Sequence, residues 1–172
     1  MKKVVLIISI LFSIGTAQAQ DFGGKFLVKE SEFYNKPFVF SNRGETEKII
    51  EFVKAYNAMD ANKCATFIAD KCVVIGFDGV KTTLTKEDWK NYFANYTSIN
   101  WEILSIVPLR IKDTDPTSGV LINSIETRVG KDGSVWKKEL IELFAFDLDL
   151  KVSNINQYSQ DIPKKYGLHP KV

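Results

Sequence analysis

Residues 45–70 read ETEKIIEFVKAYNAMDANKCATFIAD, and this stretch decides the fold. Ile49, Ile50, Phe52, Val53 and Tyr56 recur at the i, i+3, i+4, i+7 spacing of a helix with one apolar face. Ser41 or Asn42 can cap its start, and Glu45 and Glu47 suit the positive end of the helix dipole. The helical run breaks near Ala58-Met59. Asp60 then stands where an N-cap is needed, which predicts a second, shorter helix from about Asp60 to Ala69. Cys64, Phe67 and Ile68 form its inner face.

Past this pair of helices the period changes. Cys72 to Phe77 is a short apolar run rich in Val and Ile, and Asp78-Gly79 is a favoured hairpin turn. Val80 to Leu84 returns as a second strand. Thr85-Lys86-Glu87-Asp88 reads as a capping box that opens a third helix. Trp89, Tyr92, Phe93 and Tyr96 share one face of it. From Ser98 apolar and polar residues alternate, and the strand continues to Ile111. Turn residues at 113–119 and 131–133 separate the long strands Val120 to Val129 and Ser134 to Asp147, and a last strand runs from Lys151 to Gln160. Helices early and strands late imply an α+β domain: a curved antiparallel sheet with helices on one face.

Upstream of the domain, Lys2 and Lys3 precede an apolar run from Val4 to Ile14, and Ala17-Gln18-Ala19 follows as a cleavage signature. This is the pattern of a signal peptide over residues 1–19, so the chain is expected to be exported, periplasmic or secreted. The run is shorter than the roughly 20 residues that span a bilayer, so no membrane anchor is expected after cleavage. Residues 20–44 carry Phe22, Phe26, Phe33, Tyr34, Phe38 and Phe40 without a clear period, and read as an extended leader that lays its aromatics on the domain. The domain is placed at residues 45–161, and the segment 162–172 reads as a fraying tail.

Charge and composition exclude several function classes. The whole chain carries 23 Lys+Arg against 21 Asp+Glu. Removing Lys2 and Lys3 leaves the two signs equal, so no footprint for nucleic acid or an anionic membrane is expected. The single histidine, His169, lies in the tail, which leaves no nucleophile and base pair built on histidine. Cys64 and Cys72 are the only cysteines; with no His or Cys partner they make no metal site, and no cofactor is expected. Whether the two pair or stay as buried thiols is left open by their spacing.

Three stretches carry a resemblance. Residues 56–60 with 64–70 resemble the helix-break-helix of the nuclear transport factor 2-like superfamily, Thr85 to Tyr96 its third helix, and residues 142–146 with 155–159 its last two strands. The ketosteroid isomerase and SnoaL-like polyketide cyclase branch is the most similar. The resemblance implies a cystatin-like roll: a curved sheet forming a cone, closed by three N-terminal helices. It also implies a mostly apolar pocket with a few polar groups inside.

Glu142 is the candidate for chemistry. Strand alternation puts Leu140, Glu142, Phe144 and Phe146 on one face, so its carboxyl is expected to be desolvated and to act as an acid or donor. The resemblance places it where the isomerase branch has an acid facing a developing oxyanion. Two other positions of that pattern differ. The first-helix tyrosine is replaced by Phe52, with Tyr56 one turn on, and Gly76 stands near the place of the general base. Asp78 is explained by its turn. The aromatics Phe52, Tyr56, Trp89, Phe93, Trp101 and Phe144, with Gln157, are expected to line a site for a small apolar ligand.

Three functions follow: a binding protein for such a ligand, a cofactor-free isomerase, cyclase or dehydratase using Glu142 as acid, and a homodimer built on the outer sheet face through Leu121, Ile125 and Val129. The first is favoured because no general base is evident.

Overall fold

The computed structural model describes residues 24–41, 43–114 and 118–162. The signal-peptide, Phe22, Asn42 and tail expectations lie wholly or mainly outside these residues. Helix α1 spans Glu45–Asn57 and buries Ile49, Phe52, Val53 and Tyr56 of the face its spacing predicts, while Ile50, expected on that face, is exposed. Its cap is Gly44, whose φ of 94° favours glycine, and not Ser41. Ser41 instead donates its hydroxyl to Glu45, and the Arg43 amide donates to the same carboxylate. Helix α2, Ala61–Ala65, is capped as expected, with Asp60 accepting from the Lys63 amide at 2.9 Å.

That second helix is shorter than its predicted reach to Ala69. Strand β2, Ile68–Ile75, begins where helix was expected. The cause is tertiary: the Val152 amide donates to the Phe67 carbonyl, and Ile68 pairs with Val152, so the sheet claims the backbone. Gly79, at φ 78°, turns β2 into β3, Lys81–Leu84, and Asp78 accepts from the Val80 amide. Asp78 therefore does the turn work assigned to it. Helix α3, Asp88–Phe93, starts later than the expected capping box: its N-cap is Glu87 with no side-chain cap bond, and Asp88 accepts from the Thr85 amide and hydroxyl across the preceding turn.

The remaining strands are β4 (Tyr96–Ile111), β5 (Ser118–Gly130), β6 (Val135–Phe146) and β7 (Val152–Gln160). Part of the leader forms β1, Phe38–Phe40, which pairs with the far end of β4. Phe26 packs edge-on against Phe33 and Phe38 beside it. The sheet order is β1-β4-β5-β6-β7-β2-β3. Every pairing is antiparallel except β2 with β7. That parallel pair joins two strands far apart in sequence.

The sheet curls. Phe77, at the β2–β3 turn, lies 6.3 Å between ring centroids from Trp136 on β6, although β7 stands between β2 and β6 in the order. The helices close the concave side, giving the cone of a cystatin-like roll. Phe52 is the hub, with its ring centroid within 6.5 Å of those of Tyr56, Phe67, Trp89, Trp101 and Phe144. Asn57 ties the end of α1 to the sheet: its side chain donates to the Trp101 carbonyl and accepts from the Trp101 amide, at 2.9 and 2.7 Å. Cys64 and Cys72 are both free and fully buried, and burial pushes their thiols up to about 12 and about 11.

Candidate functional site

Strand period two sends alternate side chains of β5 and β6 into the cone. On β6 these are Leu140, Glu142, Phe144 and Phe146, all buried. On β5 they include Ile122, Ser124, Glu126 and Arg128. Between these faces and helices α1 and α3 lies a cavity of about 220 Å³. Its walls are largely aromatic and aliphatic, with a few polar groups among them.

Glu142 is 1% exposed. Burial pushes its carboxyl up from 4.5 to about 8, with the negative charge of Glu126 adding to the effect while Gln157, Arg128 and Ser124 oppose it. Gln157 donates its amide to Glu142 Oε1 at 2.7 Å. Oε2 has no hydrogen bond. At neutral pH the group is therefore largely a neutral acid, with one oxygen accepting from Gln157 and an O–H still to place. The Trp89 indole nitrogen, also on a cavity residue, is likewise buried without a partner.

A second polar cluster joins Glu126 and Arg128 of β5 to Tyr56 and Tyr92 of the helices. Arg128 donates from Nε and Nη2 to the two oxygens of Glu126, at 2.7 and 2.6 Å. Its guanidinium lies 4.2 Å from the Trp136 ring centroid and 5.7 Å from that of Tyr92. Tyr56 donates to Glu126 Oε1 at 2.7 Å, and the Tyr56 and Tyr92 hydroxyls are 2.5 Å apart. A signal is present in the sequence: placing Leu121, Ile125 and Val129 outside puts Glu126 and Arg128 inside by parity.

The cavity brings together Phe52, Tyr56, Trp89, Trp101, Phe144, Glu142 and Gln157. It does not include Phe93. That ring is buried behind the wall, one turn further along α3 than Trp89 and packed on Tyr56, Trp89 and Tyr92. Among the described residues no group of His, Cys, Asp and Glu is arranged to hold a metal ion.

No protein-family model and no curated protein matches the sequence. Solved structures do match the fold. A SnoaL-like protein of unknown function from Burkholderia thailandensis superposes with a TM-score of 0.51 at 15% identity, over 70% of this chain and 98% of that one. An uncharacterised cystatin-fold protein from Novosphingobium aromaticivorans gives 0.53 at 21% identity, over 67% and 98%. A ketosteroid isomerase-like protein from Erwinia carotovora atroseptica gives 0.52 at 16% identity, over 71% and 100%. The chain has the nuclear transport factor 2-like fold. At these identities the likeness speaks for architecture, and function has to come from the site. In this nuclear transport factor 2-like cone Glu142 is a buried carboxyl on the cavity wall. Phe52 carries no hydroxyl, and Tyr56 has turned inward beside it to bond Glu126. Gly76 has no side chain to act as a base, and Glu126, the other carboxyl that lines the cavity, is engaged by Arg128 and Tyr56.

Proposed function

We propose that this chain is an exported binding protein whose cone takes a small, mostly apolar ligand with one hydrogen-bond acceptor. The observation that carries the reading is a cavity walled by aromatic rings that holds a buried acid with an unpartnered oxygen, Glu142 Oε2. A cavity of about 220 Å³ exceeds the roughly 150 Å³ that takes benzene and falls below the ~300 Å³ of sites for larger ligands. One substituted ring is the matching size. An acid without a free base supports binding over proton transfer between carbons.

The test uses calorimetry with acetophenone and its hydrocarbon counterpart cumene. Acetophenone should bind roughly 3- to 10-fold tighter, the worth of one hydrogen bond. Glu142→Leu should bring the two together. Equal affinity in the native protein, or no binding of either, would overturn the reading.

A second reading concerns the outer sheet face, for which the partner is a second copy of the chain. Leu121 and Leu143 pair across β5 and β6, Ile141 and Tyr158 across β6 and β7, and all four are exposed. Ile125 and Val129, expected in this patch, are partly covered. The apolar area therefore sits nearer β6 and β7 than the sequence suggests. Such a contiguous patch on a charged surface favours self-association. Native mass spectrometry of protein recovered from outside the cytoplasm reads both proposals at once. It should show a chain cut near Ala19 and a two-copy assembly that Ile141→Lys disrupts. An uncut chain argues against export, and one copy at micromolar concentration argues against the dimer.

A further inference from the structure

Proton accounting in the tyrosine cluster says more about the ligand. Arg128 makes Glu126 the acceptor of two charged hydrogen bonds, at 2.7 and 2.6 Å. A carboxylate so paired can only accept, so the 2.7 Å contact with Tyr56 is filled by the Tyr56 proton. A tyrosine has one proton. The 2.5 Å contact between Tyr56 and Tyr92 must then be filled by the proton of Tyr92. Both phenols stay protonated, since burial pushes each well above its ordinary range. Tyr92 Oη has thus given its hydrogen away and keeps only lone pairs.

Tyr92 lines the cavity. No donor among the described residues serves its oxygen: the side-chain bonds of Arg128 both go to Glu126, and the guanidinium faces the Tyr92 ring. Glu142 sits elsewhere in the cavity. It pairs with Ile122, whereas Glu126, which Tyr56 links to Tyr92, stands four residues further along β5, a backbone spacing of about 13 Å at ~3.3 Å per residue. The cone therefore has a donor end at Glu142 and an acceptor end at Tyr92.

We infer that the ligand is a single ring bearing a hydroxyl that donates to Tyr92 Oη and, across the ring, the acceptor that meets Glu142. The inference rests on the binding reading above and narrows it to hydroxylated aromatic carbonyl compounds. A carbonyl placed at Tyr92 would face lone pair with lone pair, so the two ends also fix the ligand's direction.

Calorimetry with 4-hydroxyacetophenone and 4-methylacetophenone, which differ at one position in a similar volume, tests this. The hydroxyl probe should bind the native protein roughly 3- to 10-fold tighter. Tyr92→Phe should erase that advantage, and a thermal melt that matches the native one shows that the variant is folded. A native protein that prefers the methyl probe, or an advantage that survives in Tyr92→Phe, would overturn the inference while the binding reading stands. Binding of neither probe, nor of acetophenone, would overturn both.

Discussion

Glu142→Gln should leave stability nearly unchanged at pH 4 and raise it by about 4–5 kcal/mol at pH 9. Burial is the main cause, and it moves the carboxyl from 4.5 to about 8 in the folded chain. Below about pH 4.5 the acid is protonated in both folded and unfolded chains, and pH has no hold on it. Between 4.5 and 8 the unfolded chain ionises while the folded one keeps its proton. The folded state then binds more protons, so stability falls as pH rises through that window and levels off above 8. The amide in the Glu142→Gln variant never ionises, and it can still accept from Gln157. Urea unfolding of both proteins at pH 4, 6 and 9 reads the difference, in which all other titrating groups cancel. Two stability curves that run parallel across this range would place Glu142 in water. They would also remove the neutral acid on which the proposed ligand contact depends.

The reach of the sequence can be followed residue by residue. The inward face of β6 was legible because alternation is local: Leu140, Glu142, Phe144 and Phe146 needed only the strand period. Asp60 was legible for the same reason, since a cap is settled by its neighbours three residues on. The end of α2 was not. Phe67 and Ile68 suit a helix face and a strand alike, and Val152, far along the chain, decides between them. The parallel pairing of β2 with β7 is of the same non-local kind. Within the site, apolar walls were easier to read than charged ones. Glu126 and Arg128 occupy inward positions, yet a Glu and an Arg two apart on a strand look like a solvated face. Only the tertiary setting, with Tyr56, Tyr92 and Trp136 packed around the pair, makes them part of the cavity. Phe93 fails in the opposite sense: helical spacing rightly groups it with Trp89, but one turn further on it packs behind the cavity wall.

Removing the Glu126 carboxylate should be among the most damaging single changes in the site. Glu126 is 2% exposed, and it alone answers both the Arg128 guanidinium and the Tyr56 hydroxyl. Glu126→Leu leaves a mostly buried cation unpaired and a phenol without its acceptor. The expected loss is about 3–5 kcal/mol, or on the order of 10 °C in Tm. Arg128 keeps 18% of its side chain exposed, and Trp136 stacks on it, so the lower part of that range is favoured. Combining Glu126→Leu with Arg128→Met removes the stranded charge and should recover most of the loss, because a buried pair replaced by apolar groups often costs little. The double variant should therefore be clearly more stable than the Glu126→Leu single, a coupling that thermal melting of all four proteins measures. If the two losses simply add, the ion pair carries little of the fold, and its place at the cavity serves the ligand alone. If they couple as expected, the pair is what holds Tyr56 and Tyr92 in the proton order from which the ligand's hydroxyl was inferred. The double variant should then lose the preference for 4-hydroxyacetophenone even while it remains folded.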